Sequence, residues 1–393
     1  MKTTIAVFFG CRSVEHEVSI ISAVQAMRAI DTNKYDVIPV YVSKTGEMYT
    51  SDALFTIEEY RDMPRLMKKL SPVTFVKRDG KVYMSYLNNS LFSKKKDVIT
   101  DVAFPIVHGT NCEDGTMAGY FEFLGLPYVG CNILSAAIGM DKAIFKDVLS
   151  AAGLPVLPCF KFSSRIYSEK REEVLQAIED KIGYPVIIKP VNLGSSVGIT
   201  KAHDRQSLID AIDLAVSFAD TVLAEKAIMN LREINCSVVG DDDECAASVC
   251  EEPIMHDEIL SYEDKYLGSG KQKGMASLGR RLPADIPEEK SEEIRALSCK
   301  IFKTLGCNGV VRIDYLLDTQ TGSVYANEIN TIPGSLSFYL WEATGIPYKK
   351  LIDKLIDLAF RRQRRRDNLT FTIKTNILSG VSFGTKGAKG SKF

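Results

Sequence analysis

Arg312 and Asp314 alternate along Val310-Val-Arg-Ile-Asp-Tyr-Leu-Leu317, and Glu328 and Asn330 alternate along Val324-Tyr-Ala-Asn-Glu-Ile-Asn330. Both runs read as strands, and period two puts each pair on one face. Asp318 to Gly322 reads as the turn between them. If that turn centres near Gln320, all four residues share a face. Two carboxylates placed together repel unless a cation lies between them or one is protonated. Magnesium bridging to nucleotide phosphates satisfies this; a solvated hairpin face is the plainer alternative.

A second candidate is Val186-Ile-Ile-Lys-Pro-Val-Asn-Leu-Gly-Ser-Ser-Val-Gly198, where a strand delivers Lys189 to a loop holding Gly194, Ser195, Ser196 and Gly198. Backbone amides of such a loop can cradle phosphate oxygens. The segment lacks the G-K-S/T of a Walker A motif, and no helix follows as a dinucleotide fingerprint requires. A plain hairpin loop is the alternative. Two further lysine sites, Met140-Asp-Lys142 and Val222-Leu-Ala-Glu-Lys226, favour the nucleotide.

These residues need elements to hold them. Ile5 to Phe9 reads as a buried strand, Gly10 to Ser13 as a turn, Val14 to Ile30 as a helix and Tyr35 to Val42 as a second strand. Such a βαβ unit puts the Gly10 turn at the carboxyl end of a parallel strand, where ligands collect. Val102 to Val107 reads as a third strand, ending in His108-Gly109. Residues 48 to 100 carry little legible chemistry. A helix from Met140 leads into β-rich runs at Val156 to Phe162, Pro185 to Lys189, Gly198 to Lys201 and Val222 to Glu225. Residues 264 to 284 form a Gly, Ser and Lys-rich stretch of the length of a functional flap. Helix 288 to 305, hairpin 309 to 330 and helix 342 to 360 follow. The arginine run Arg361 to Arg366 and the spaced lysines Lys386 and Lys389 read as a solvated, partly disordered tail.

Composition narrows the function. With 393 residues, 45% of them apolar, the chain has material for two or three domains, and a net charge of -1 gives no global attraction to nucleic acid. Nine cysteines without a C-x-x-C pair fit reduced thiols in a cytoplasm. Four histidines and no cysteine cluster disfavour zinc or haem, leaving oxygen-ligated magnesium open. No run has the length of a membrane span, and the N-terminus lacks the apolar stretch of a signal peptide.

The ordered motifs E-H-E-V-S, H-G-x-x-x-E-D-G, M-D-K, K-P-x-x-x-G-S-S-V-G, A-E-K, Y-E-D-K-Y, R-I-D-Y and N-E-I-N-T-I-P-G run through the chain. In that order they resemble the ATP-grasp enzymes, specifically the D-alanine:D-alanine ligase family, from about residue 5 to residue 360. The resemblance implies an α/β three-domain ATP-grasp fold with an N-terminal Rossmann-like parallel-sheet domain. Its expected divisions are 1–130 for substrate, 131–224 and 225–365 for the two ATP-grasp subdomains, and 366–393 for the basic tail. It implies a cytoplasmic ligase, expected as a homodimer, that uses ATP and Mg2+ or Mn2+ to join two D-alanines through a D-alanyl phosphate, supplying peptidoglycan synthesis.

The resemblance also implies residue roles. Lys142 and Lys189 contact phosphates, under a loop of Gly194, Ser195 and Ser196. Glu225 and Lys226 meet the adenine edge, and Glu233 meets the ribose. Asp314, Glu328 and Asn330 hold the metal, and Lys265 reaches the phosphate. Arg312 and the Gly334 amide serve the tetrahedral oxyanion. Glu15 takes the first substrate's ammonium, Ser195 and Tyr266 complete its positioning set, and His108 and Glu113 lie by the substrate carboxylate.

The chain also departs from the family pattern. Cys11 and Cys112 stand where glycines are usual, and Asn330-Thr-Ile-Pro-Gly334-Ser-Leu-Ser-Phe-Tyr-Leu-Trp341 reaches its helix several residues early. That segment ordinarily grips the second substrate, so Ser335, Ser337 and Tyr339 become candidates for it. The second substrate could then be D-serine, D-lactate or another amino acid. An alternative from another class is a nucleotide-binding regulatory protein without turnover.

Overall fold

Every side chain from Ile5 to Phe9 is fully buried, as expected of a central strand covered on both faces. In the computed structural model, which describes residues 2–88, 95–193, 198–254 and 279–381, this strand β1 (Thr3–Gly10) lies between β2 (Tyr35–Val42) and β7 (Val102–Pro105), parallel to both. The sheet has seven strands rather than a purely parallel set. The little-read middle section adds β3 (Met48–Thr50), β4 (Ser71–Arg78), β5 (Lys81–Tyr86) and β6 (Val98–Thr100), giving the order β6-β5-β4-β3-β2-β1-β7. These four strands extend β2 by antiparallel pairing. Chain order reverses at β1, so a crevice opens at the carboxyl ends of β1 and β7.

A four-stranded antiparallel sheet follows, ordered β10-β9-β11-β8, from β8 (Cys159–Ser163), β9 (Val186–Pro190), β10 (Thr200–Ala202) and β11 (Thr221–Lys226). Helices Arg171–Lys181 and Arg205–Val216 cover one face through Val174, Leu175, Ile178, Leu208, Ala211 and Ile212. The third sheet is ordered β14-β13-β12-β15-β16, from β12 (Leu231–Gly240), β13 (Cys245–Pro253), β14 (Arg280–Arg281), β15 (Gly309–Asp318) and β16 (Val324–Asn330). Its apolar positions Ile234, Cys236, Val311, Ile313 and Tyr315 share a core with Ile294, Ile301 and Phe302 of helix Glu288–Thr304. Alternation therefore leaves Glu233, Asn235, Arg312 and Asp314 on the opposite face.

Two local departures from the sequence reading matter. The helix expected at 342 to 360 is two helices, Phe338–Ala343 and Tyr348–Asp367, parted at Gly345 and Pro347, a stop and a restart that glycine and proline favour. The second helix returns to the first sheet, burying Leu351, Ile352, Leu355 and Ile356 in that core. The arginine run is helical and docked rather than a solvated tail. Arg361 pairs with Asp241 at 2.7 Å, Arg365 pairs with Asp243, and Arg362 lies 3.9 Å over the Tyr128 ring. The Asp241-Asp-Asp-Glu244 turn between β12 and β13 supplies the countercharge. Lys386 and Lys389 lie outside the described residues.

Candidate active site

The hairpin register pairs Arg312 with Asn330 and Asp314 with Glu328, so the four residues do share a face. Arg312 closes on Asp314 with a two-pronged fork, Nε donating to Oδ1 at 2.6 Å and Nη2 to Oδ2 at 2.7 Å. Asn330 Nδ2 also donates to Asp314 Oδ2 at 3.0 Å. Glu328 Oε2 lies 3.2 Å from Lys142 Nζ. The repulsion between the two carboxylates is thus met by one protein cation on each. Two carboxylates and an amide whose nitrogen is committed offer a hard, all-oxygen donor set, which fits Mg2+ or Mn2+. Among the described residues no group of three His, Cys, Asp or Glu side chains could hold a metal, so a metal here would need Asn330 as a third donor.

A cleft of about 990 Å³, open to solvent, separates the four- and five-stranded sheets. Lys142, Lys189, Glu225, Lys226, Glu233, Asp314 and Glu328 line it together with Ile187, Leu231 and Leu316. Asp141 positions Lys142, because its side chain caps the helix Lys142–Ala151 by accepting from the N–H groups of Ala143 and Ile144. Lys142 Nζ then donates to the Leu193 carbonyl at 2.8 Å, while Lys226 Nζ donates to the Tyr184 carbonyl at 2.9 Å. Lys189 donates to Glu225 Oε2 and, at 2.9 Å, to Asn327 Oδ1.

A second cavity of about 420 Å³ is lined by Glu15, Gly109, Glu113, Asn330 and Thr331, and also by Lys142, Leu193 and Glu328. The last three line both cavities. Glu15 sits in the turn before helix His16–Ala29, beside Gly109. Gly109 has φ 77, and a Cβ there would lie 2.9 Å from Glu15 Oε2 and 2.7 Å from Ser13 Oγ, so only glycine fits. Cys11 also takes a positive φ, of 73, which explains why a glycine is usual there.

Glu113 Oε2 accepts from Gly109 N–H at 2.7 Å and Oε1 from Ile332 N–H at 2.9 Å. Burial pushes its carboxyl up to about 8, helped by the Glu15 charge and opposed by the two N–H donors and Arg312. A carboxyl whose folded pKa exceeds its ordinary 4.5 adds stability that is full below pH 4.5 and is lost as pH rises through 8. Glu113→Gln should therefore flatten the fall in stability across that window, a change on the order of 5 kcal/mol. Urea unfolding of both proteins at a series of pH values measures it; parallel profiles would refute the assignment.

His108 lines neither cavity. Nδ1 donates to the Ile332 carbonyl at 2.7 Å, and Nε2, 2.8 Å from Ser22 Oγ, accepts that hydroxyl. Burial pushes its pKa down, which keeps the ring neutral in this tautomer. Its two ring nitrogens are spent on holding the Ile332 carbonyl and the Ser22 hydroxyl. Ser22 Oγ also accepts Ser335 N–H at 3.1 Å, and Ser335 Oγ donates to Gln25 Oε1 at 2.6 Å. Together these contacts hold Ser335, Leu336 and Ser337 at φ 50, 56 and 50. Three consecutive left-handed residues without glycine cost roughly 1–2 kcal/mol each.

Gly334 opens that turn. Ser337 is fully buried and lines neither cavity, with its hydroxyl unpartnered among the described residues. Tyr339 donates to Glu251 Oε1 at 2.8 Å under Arg280, whose guanidinium lies 4.2 Å from the ring centre. Gly194, Ser195, Ser196, Lys265 and Tyr266 lie outside the described residues. Lys146, Asn327 and Ser22 escaped the sequence reading, although Lys146 follows Lys142 by one helical turn, a usable signal.

Residues 4–131 match the family described as D-ala D-ala ligase N-terminus, and residues 148–357 match D-ala D-ala ligase C-terminus. A D-alanine–D-alanine ligase of Thermosipho melanesiensis is 39% identical over 95% of this chain and 98% of its own length. One of Caldicellulosiruptor bescii is 40% identical over 94% and 99%. Among solved structures, the D-alanine-D-alanine ligase of Coxiella burnetii superposes with a TM-score of 0.78 at 30% identity, covering 93% of this chain and 96% of that one. The VanG D-Ala:D-Ser ligase of Enterococcus faecalis superposes with a TM-score of 0.77 at 33% identity, covering 91% and 100%.

Proposed function

The chain belongs to the D-alanine–D-alanine ligase family of ATP-dependent ligases, and from this premise we propose how its residues join two D-alanines through a D-alanyl phosphate. The observation that carries the reading is that Lys142, Leu193 and Glu328 line both cavities. A carboxylate in the smaller one then meets the γ-phosphate of a nucleotide in the larger.

The first D-alanine sits with its ammonium by Glu15. Its carboxylate oxygen attacks the γ-phosphorus, the bond to the β-phosphate oxygen breaks, and ADP leaves. Lys142 and Lys189 neutralise the transferring group, and since phosphoryl transfer is chiefly positioning and charge neutralisation, no covalent nucleophile is needed. Mg2+ or Mn2+ held by Asp314, Glu328 and Asn330 supplies charge neutralisation on the phosphate oxygens when bound. Glu225 and Lys226 meet the adenine, and Glu233 the ribose.

The second D-alanine, having lost one ammonium proton, attacks the acyl carbon through its amine. The developing oxyanion is met by Arg312 and the Gly334 N–H, a kind of preorganised donor pair that acts where charge appears. Phosphate then leaves, the attacking nitrogen gives up a second proton to solvent, and the peptide bond remains. The roles expected of Ser195, Tyr266 and Lys265 fall on residues outside the described ones. Ser337, although buried, lies in the turn that adjoins the second amino acid.

The product serves peptidoglycan synthesis in the cytoplasm. No helix among the described residues is long and apolar enough to cross a membrane. A homodimer is supported by Phe123, Ile133 and Leu134, exposed on neighbouring helices. Incubating the protein with ATP, Mg2+ and single or paired D-amino acids tests the reaction. D-alanine alone should give D-alanyl-D-alanine, ADP and phosphate in equal amounts, identified by mass. A mixed dipeptide from paired D-amino acids, with none from D-alanine alone, would overturn the choice of second substrate.

A further inference from the structure

The scheme leaves one buried charge without a task. Lys146 follows Lys142 by one turn on the same helix and is only 1% exposed, yet it is not among the residues that line the nucleotide cleft. Its ammonium forms a close ion pair with Glu225 Oε1 and lies 3.4 Å from the Ala326 carbonyl. Glu225 Oε2 is taken by Lys189. One carboxylate therefore serves two ammonium groups, and none of the three side chains is more than 7% exposed.

The two lysines are not equivalent. Lys189 lines the cleft and has a second partner in Asn327, whereas Lys146 faces the interior. Burial alone would raise the Glu225 carboxyl; the two lysines more than offset it and hold it below the usual range. Burial pushes Lys146 down, against the attraction of Glu225. The trio as a whole carries one positive charge more than it can neutralise, a surplus suited to an arriving anion.

We propose that Lys146 is the standing counter-ion of Glu225, a positioning residue that frees Lys189 to leave the carboxylate for the nucleotide phosphates. The proposal rests on the reading that Lys189 meets a phosphate. If Glu225 had only Lys189, that departure would strand a buried carboxylate, and removing one partner of a buried pair is strongly unfavourable. With Lys146 in place the carboxylate stays paired whether Lys189 is parked or engaged. The nucleotide then gains an ammonium without unbalancing the protein beneath it.

The test compares the ratio of ATP affinity to adenosine affinity, so that effects on the adenine contact cancel. Affinities come from competition against a fluorescent nucleotide, for the full chain and for Lys146→Met, Lys189→Ala and the double variant Lys146→Met/Glu225→Gln. Lys146→Met should lower the ratio by about tenfold or more, because Glu225 then retains Lys189. The double variant should recover most of that loss, since the neutral amide no longer holds Lys189. A purely structural Lys146 would predict no such recovery.

An unchanged ratio in Lys146→Met, with a normal loss in Lys189→Ala, overturns the counter-ion role alone. An unchanged ratio in Lys189→Ala overturns its phosphate contact and the proposal with it. Should Lys146→Met fail to fold, the double variant, which strands no charge on Glu225, decides by itself. A ratio near that of the unaltered chain supports the proposal, and a loss equal to that of Lys189→Ala overturns it.

Discussion

Arg312→Met should lower kcat by about 10²- to 10³-fold, the usual loss when one preorganised oxyanion donor is removed. The KM for ATP should move little, because Arg312 is not among the residues lining the nucleotide cleft. A second effect accompanies the first. Both oxygens of Asp314 are held by the Arg312 fork, and the two side chains are only 14% and 16% exposed. Losing the guanidinium leaves Asp314 with Asn330 and an excess of negative charge beside Glu328, which destabilises the metal-free fold by up to about 3 kcal/mol. Magnesium replaces part of the missing charge, so its effect on Tm should be larger in the variant than in the parent. Arg312→Lys retains charge but not the planar fork, and should restore stability more than turnover. Steady-state kinetics and thermal melts with and without Mg2+ measure both effects; unchanged kcat in Arg312→Met would remove Arg312 from the chemistry.

Glu328→Gln should have a comparable effect on turnover, about 10²- to 10⁴-fold, with almost none on folding. Its carboxylate is 26% exposed and faces Lys142 at 3.2 Å, a partly solvated pair worth about 1 kcal/mol or less. Lys142 keeps the Leu193 carbonyl as a partner when the charge is removed. The magnesium activation curve should shift to higher concentration, because one of two anionic oxygen donors is gone. Turnover equal to that of the parent at limiting Mg2+ would contradict the metal assignment.

The hairpin was readable because every signal in it is local. Strand period, turn residues and the repulsion of like charges all act within the span 310–330, but bringing Asp314 opposite Glu328 also takes a register shift between Asp314 and Tyr315 that nothing in the sequence announces. The Met140-Asp-Lys142 motif was likewise readable in part, since Asp141 is a good helix cap. Contacts made only in three dimensions were not. The arginine run at 361 to 366 reads as a solvated tail until the acidic turn at 241 to 244 is placed against it, and no spacing rule links the two. Lys146 carries the one-turn spacing from Lys142, but nothing nearby in sequence announces a buried Glu225 as its partner. Ser335, Leu336 and Ser337 lack the glycine or asparagine that usually marks left-handed backbone. Their conformation is imposed by Ser22 and Gln25, some 310 residues earlier. The antiparallel extension of the first sheet was missed for another reason: short strands mixed with charge give weak alternation.

The grip on Ile332 has a consequence for how such a ligase can acquire a new second substrate. One residue is fixed at its N–H by Glu113 and at its carbonyl by His108, and the next turn is fixed by Ser22 and Gln25. The turn that we propose adjoins the incoming amino acid is thus only half of its own specification. Its inheritance is split between opposite ends of the coding sequence, so recombination that exchanges residues 331–341 alone would separate a loop from its mould. Lineages that trade one acceptor for another must move both pieces together, or change the side chains around a backbone path that stays where it is.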